Sequence, residues 1–371
     1  MSFTVHHAVL LSVFAIALVM GATANKTRFC AMGAVSDWIN MGDTGRLRAW
    51  LLAIAVALTG ALLLEASGVI DLDAGTFPPY RSVNFAWLRY LLGGLMFGAG
   101  MTFASGCGNR TLVKIGGGNL KSLFVLAVAA ACAYLMMWTE FYERVFNSWI
   151  VASSLSLGHF GIESQEIGAI VAGFFGFSQN RTAHLVIGAL IALGLLVWLF
   201  SSQEFRRNRD NMLGGTVIGL AVMAGWYLTG GPLGRAWKEW AEMAVEMPSR
   251  VEVQSFTFIS PMGDLVRYLM HPSKLAHINF GIVALAGVIV GSWLYARYTR
   301  SFRIEWFSSV QDFGYHLLGA VLMGVGGVLA MGCTIGQAVT GVSTLALGSF
   351  LTFGALVAGA AGAMKYQYWR A

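Results

Sequence analysis

Four cysteines stand far apart in this chain, Cys30, Cys107, Cys132 and Cys333, and three of them share a setting. Cys30 follows the polar break Asn25-Lys26-Thr27-Arg28. Cys107 and Cys333 each close a glycine-rich apolar run and open onto a polar break, Gly108-Asn109-Arg110 and Thr334-Ile335-Gly336-Gln337. No two cysteines have Cys-x-x-Cys spacing, so a zinc site is not indicated and no metal or other cofactor is expected. A thiol is a weak donor and a weak acceptor, suited to holding a soft sulfur atom loosely. Asn109 and Gln337 would add amide donors beside two of the thiols, and Arg28, Arg110 and Lys114 supply charge that attracts an anion. Cys132 lies among Ala129, Ala130, Ala131 and Ala133, where a small buried apolar role suffices. Glu65, His184 and His316 read as interface or structural residues rather than proton carriers.

The elements that must position these residues are membrane helices. Of 371 residues 57% are apolar and 11% charged, against roughly a quarter charged in a soluble domain. Several apolar runs reach the length of about 20 residues that a helix needs to cross lipid. Alternating ten-residue patterns are absent, which excludes a β-barrel. The expected spans are Val5–Met20, Trp50–Gly68, Trp87–Ala104, Leu120–Trp138, Ala183–Phe200, Leu213–Leu228, Ile278–Tyr295, Phe313–Ala330 and Leu345–Ala363, with Ile167–Phe177 as a shorter re-entrant or interfacial piece. The first reads as a retained span rather than a signal peptide. Runs such as Gly94-Leu95-Met96-Phe97-Gly98 suit close helix approach.

Lys and Arg gather in alternate loops: Lys26, Arg28, Arg46 and Arg48; then Arg110, Lys114 and Lys121; Arg206, Arg207 and Arg209; Arg297, Arg300 and Arg303. The intervening loops are acidic or mixed. Basic loops mark the cytoplasmic side, so the amino terminus is expected outside and the carboxyl terminus inside the cytoplasmic (inner) membrane. The net charge of +6 then needs no nucleic acid to explain it, and there is no soluble basic domain to bind one.

An internal repeat links the spans to the cysteines. Leu91-Leu92-Gly93, Gly98-Ala99-Gly100, Ala104-Ser105-Gly106-Cys107 and Val113 recur as Leu317-Leu318-Gly319, Gly324-Val325-Gly326, Ala330-Met331-Gly332-Cys333 and Val339, at a constant offset of 226 residues (107 to 333). A fainter echo sets Thr27 through Gly33 against Thr257 through Gly263. The loop charges give the two copies opposite orientations, as in transporters built from inverted repeats. The chain is thus expected to be all-α: one polytopic transmembrane bundle over residues 1–371, of about nine spans plus short re-entrant helices, with inverted halves near 1–200 and 205–371.

The segment Thr27-Arg28-Phe29-Cys30-Ala31-Met32-Gly33-Ala34 with Ser36-Asp37 resembles the amino-terminal signature of the YeeE/YedE family of thiosulfate transporters. The blocks Gly106-Cys107-Gly108-Asn109-Arg110 and Gly332-Cys333-Thr334-Ile335-Gly336-Gln337 are similar to its two later cysteine motifs. The resemblance covers nearly the whole chain, except Phe141–Gln165 and Lys238–Leu275, which match no feature of the family. It implies uptake of thiosulfate along a pathway lined by Cys30, Cys107 and Cys333, in helices that dip toward the membrane midplane. The partners expected are a small inorganic sulfur anion, the lipid bilayer and, as a candidate, a cytoplasmic sulfur-handling protein. A permease for selenium-linked or other sulfur anions is the alternative within the family. A membrane sulfurtransferase would need an activated thiolate; Arg28 and Arg110 lie near two cysteines, but Cys333 has no charged neighbour in its loop. A soft-metal carrier would show Met-x-x-Met or Cys-x-x-Cys clusters, and none occurs. No enzymatic activity is expected.

Overall fold

A computed structural model describes residues 4–73, 75–175, 181–244 and 246–370. The chain forms α1 (Val5–Lys26), α2 (Ala31–Met41), α3 (Gly45–Ala66), α4 (Trp87–Phe103), α5 (Gly108–Gly116), α6 (Leu120–Trp138), α7 (Ser148–Ser153) and α8 (Ile167–Phe175). After these come α9 (Arg181–Ser201), α10 (Gln203–Arg207), α11 (Arg209–Gly230), α12 (Pro232–Glu242), α13 (Ile259–Met270), α14 (Phe280–Tyr298), α15 (Val310–Leu329) and α16 (Leu347–Arg370). Among the described residues, nine helical stretches are long and apolar enough to cross a membrane, and all nine expected spans fall on them. The expected short piece is α8; its last two residues, 176 and 177, lie outside the described residues. Among the described residues, strand is confined to two-residue pairs: Thr76–Phe77 runs parallel to Val253–Gln254, and Asn84–Phe85 antiparallel to Leu155–Ser156. The protein is a multi-pass helical membrane protein.

Lipid tails are as apolar as leucine, so burying apolar surface does little to bring membrane helices together. Close backbone contact does more. The glycines of the 226-residue repeat show this where α4 crosses α15. A Cβ on Gly93 would sit 2.4 Å from the Ala330 amide nitrogen and 2.9 Å from the Gly326 carbonyl oxygen. A Cβ on Gly319 would sit 2.5 Å from the Ala104 nitrogen and 2.7 Å from the Gly100 oxygen. Each contact is the other shifted by 226 residues, and reciprocity of this kind is that of an isologous contact. Partners elsewhere also pair up: α4 packs on α16 and α15 on α6, while α1 packs on α14 and α11 on α3.

The two stretches that match no family feature contribute helix and strand among their described residues. Residues 141–165 fold into a π-turn (Glu143–Asn147), α7 and the strand pair with Asn84–Phe85, capping one end of α4. Residues 238–275 contribute the end of α12, the strand pair with Thr76–Phe77, and α13, which packs on α6 and α14.

Gly319→Leu should therefore abolish or strongly reduce folded protein, since the new side chain meets backbone that cannot yield; overpacking alone costs about 1–3 kcal/mol. Gly194→Leu on α9, where a Cβ meets nothing within 4 Å, should be neutral. Fluorescence-detected size exclusion of detergent extracts reads both, and equal yields would contradict the contact.

Candidate functional site

Three helices end in the same way just before a cysteine. At the end of α1, the Thr27, Arg28 and Phe29 N–H groups donate to the carbonyls of Thr23 (2.9 Å), Asn25 (3.3 Å) and Ala24 (3.1 Å). At the end of α4, those of Ala104, Ser105 and Gly106 donate to Gly100 (2.9 Å), Thr102 (3.1 Å) and Met101 (2.9 Å). At the end of α15, those of Ala330, Met331 and Gly332 donate to Gly326 (2.8 Å), Val328 (3.0 Å) and Gly327 (2.8 Å). Each closure places its second residue in the left-handed region, at φ 54° for Arg28, 55° for Ser105 and 59° for Met331. These are non-glycine residues, for which such a φ is uncommon and strained. The helix ends there, and the cysteine leads into a new helical segment.

Each thiol consequently sits at the N-terminus of that segment. The Gly33 N–H donates to Cys30 Sγ (3.4 Å) at the start of α2, while Cys107 is the N-cap residue of α5 without a side-chain cap hydrogen bond. The Gly336 N–H donates to Cys333 Sγ (3.5 Å) at the start of the π-turn Gly336–Gly341. Both of these donors lie three residues after their cysteine, the N-cap relation with sulfur in the place of oxygen. Unsatisfied N–H groups and the helix dipole make such ends electropositive.

The structure brings the three thiols together. Cys30 and Cys107 are buried and near enough for their thiols to interact electrostatically, and the Cys107 side chain lies near that of Thr334, whose buried hydroxyl has no hydrogen-bond partner among the described residues. A Cβ on Gly108 would lie 3.7 Å from Cys333 Cβ and 3.9 Å from both Ile259 Cδ1 and Met262 Cε. The start of α13 thus closes the group, and Thr257 just before it lies against Gly336. Cys132 lies elsewhere, in the contact between α6 and α15, where a Cβ on Gly324 would come within 2.6 Å of its own Cβ.

The other expected residues divide. Asn109 is 1% exposed, and neither its Oδ1 nor its Nδ2 has a hydrogen-bond partner among the described residues. Buried amides are nearly always paired, and leaving one unpaired costs about 1–3 kcal/mol. The Thr257 hydroxyl is buried in the same condition. Gln337 is placed otherwise: its Nε2 donates to the Ala330 carbonyl and its Oε1 accepts from the Ser349 hydroxyl (2.6 Å), so its amide spans the turn that carries Cys333. Lys114 and Arg110, both half-buried, bring positive charge toward Cys30, and Lys114 Nζ donates to the Ser105 carbonyl (2.7 Å). Arg28 is exposed. Beside Cys30 a crevice of about 10 Å3, bounded by Thr27, Arg46 and Asp210 among others, reaches toward the surface. It is no larger than a single water needs, so the group is closed on that side.

A second polar cluster escaped the reading of the sequence. Arg81 pairs with Glu65 (2.8 and 3.0 Å) and Asp73 (2.9 Å) and donates through Nε to the Thr344 carbonyl (2.9 Å). His184 lies between Glu65 (3.0 Å) and Glu166 (2.9 Å). Burial alone would raise the Glu166 carboxyl, but its hydrogen bond to His184 and the Gly168 N–H outweigh burial and hold it below its usual value. The cluster ties α3, α8 and α9 to the segment between the π-turn and α16, where the Ile167 N–H also donates to the Leu345 carbonyl (3.0 Å). Glu65 is therefore structural, but as a buried ion-pair member rather than an interfacial one.

The family model described as "Sulphur transport" matches residues 26–362. The chain is 24% identical over 343 residues to the thiosulfate transporter TsuA of Escherichia coli (strain K12), covering 86% of this chain and 83% of that one. It is likewise 24% identical over 344 residues to the thiosulfate transporter TsuA of Spirochaeta thermophila (strain ATCC 700085 / DSM 6578 / Z-1203), covering 91% and 92% of the two chains.

The two amides should behave differently when removed. Asn109→Leu breaks no hydrogen bond and should leave the melting temperature in detergent unchanged or raised. Gln337→Leu breaks two and should cost about 1–3 kcal/mol. Equal destabilisation would mean that Asn109 has a partner in the fold.

Proposed function

The chain belongs to the sulphur-transport family, and from that premise we propose that it takes up thiosulfate across the cytoplasmic membrane along a pathway lined by Cys30, Cys107 and Cys333. The observation that carries this reading is the gathering of three buried thiols, each near the start of a helical segment, with the buried and unpartnered amide of Asn109 two residues after Cys107. The names of the two relatives give the substrate.

A dianion inside a bilayer is expensive and has to be met by dipoles already in place. N–H groups at the starts of α2, α5, the π-turn and α13 supply partial positive charge, and the thiols and Asn109 offer donors at the surface the ion touches. A thiol holds the terminal sulfur of thiosulfate weakly, and weak, repeated stations let an ion leave as readily as it enters. The thiols act as neutral donors, because a thiolate would repel the dianion. The ion passes unmodified, with no covalent step and no enzymatic turnover. Arg110 and Lys114 draw it onward from Cys30, and exposed Arg28 adds charge on the cytoplasmic side. Gln337 braces the third turn rather than offering its amide to the ion.

By the distribution of Lys and Arg, the amino terminus is outside and the carboxyl terminus cytoplasmic. The reciprocal crossing of α4 and α15 extends, on this reading, to an inverted repeat of the whole bundle with the site at its axis. A cytoplasmic sulfur-handling protein would receive the released ion.

Cells without other sulfate and thiosulfate permeases, expressing the intact chain or single alanine variants, test the proposal through uptake of labelled thiosulfate. With expression at the membrane matched, Cys30→Ala, Cys107→Ala and Cys333→Ala should each lose at least about tenfold in rate, about 1.4 kcal/mol in the barrier. Cys132→Ala should keep it. Uptake surviving all four changes would contradict the thiol pathway, and no uptake by the intact chain would contradict the choice of substrate.

A further inference from the structure

Two cavities flank the segment around Ser82, and they differ in charge. One, of about 790 Å3, is walled by Glu65, Asp71, Asp73, Glu163 and Glu166, with Arg81 and His184 already paired to these carboxylates. The other, of about 390 Å3, has no Asp or Glu in its lining. Its walls are Arg89, Tyr142, Asn147, Ser154 and Ser156, and it reaches Met331, two residues before Cys333. A dianion near the first meets like charge, and near the second it meets a guanidinium and hydroxyl and amide groups.

Arg89 is held in place for this. Its Nε donates to the Leu329 carbonyl (2.6 Å) and its Nη2 to the Val328 carbonyl (3.2 Å), the last carbonyls of α15, and its guanidinium lies 5.6 Å from the centre of the Tyr142 ring. The remaining nitrogen, Nη1, has no partner among the described residues. The residue sits on the turn that carries Cys333 and is only half-buried. One wall of the cavity is residues 141–165, for which the family resemblance offers no role.

We propose that this carboxylate-free cavity is the receiving site for the anion on the face opposite the basic loops, and that Arg89 selects for negative charge there before the ion reaches Cys333. The inference rests on the reading of the chain as a thiosulfate carrier. The acidic cavity beside it disfavours anions on the α9 side.

The test is the concentration dependence of labelled thiosulfate uptake, with surface expression measured for every variant. Arg89→Gln and Ser154→Glu should each raise the half-saturating concentration about tenfold or more while the maximal rate stays within about twofold. Arg89→Lys should restore most of the affinity, and Glu163→Gln in the acidic cavity should change nothing. Unchanged half-saturation in both Arg89→Gln and Ser154→Glu would overturn the receiving site while leaving the carrier reading intact. A lowered maximal rate with unchanged half-saturation in both Arg89→Gln and Arg89→Lys would make Arg89 a brace for α15 and likewise overturn it. No uptake by the intact chain would overturn both.

Discussion

Everything in this fold follows from the need to break helices inside lipid without leaving backbone groups unsatisfied. An unbroken span keeps its N–H and C=O groups to itself and offers an anion nothing. A break exposes N–H groups, and at each of three breaks the chain solves the problem identically: the ending helix bonds its own last carbonyls, one residue takes a positive φ, and a cysteine opens the next segment. The sulfur stands where serine or aspartate would cap a helix more strongly. That weaker acceptor leaves the electropositive end less neutralised, which is what the proposed pathway requires of a ligand that comes and goes.

The surrounding structure serves to hold these breaks together. Glycines let α4 and α15 cross with backbones in contact, which sets the second and third cysteine turns relative to each other. Gln337 and Ser349 brace the turn after α15 from within the bundle, and Arg81 fixes the Thr344 carbonyl nearby. Breaking one member of a buried ion pair strands the other, so the Arg81, Glu65 and His184 group ties α9 to the same segment. Next to the cysteine segments the Asn109 amide and the Thr257 and Thr334 hydroxyls are buried without a hydrogen-bond partner among the described residues.

Much of this was legible in the sequence because the signals are local. A span is a run of apolar residues, and a Gly-rich end followed by Cys and a polar break marks its interruption, so Cys30, Cys107 and Cys333 stood out and Cys132 did not. The offset of 226 residues was readable because both copies kept their glycines, and the structure shows why: Gly93 and Gly319 face backbone. The start of α13 was visible only as the echo from Thr257 to Gly263, since it carries no cysteine, and Thr257 itself gave no separate signal. Asn109 and Gln337 looked alike in their breaks, because whether an amide turns to the backbone or stays free is decided by neighbours that sequence spacing does not reveal. The Arg81 cluster was hidden for the same reason: its partners lie 16 and 119 residues from one another along the chain. Arg89 resembled any arginine at the start of a span until α7 and the end of α15 closed around it.

The central claim is that the ion rests against the three thiols, and anomalous diffraction tests it most directly. The probe is selenosulfate, in which selenium replaces the terminal sulfur, bound to crystals of protein shown to transport it. The account predicts a selenium peak in contact with Cys30, Cys107 or Cys333 Sγ and beside the Asn109 amide. A selenium peak away from all three thiols, or none among them in transport-competent protein, would contradict it.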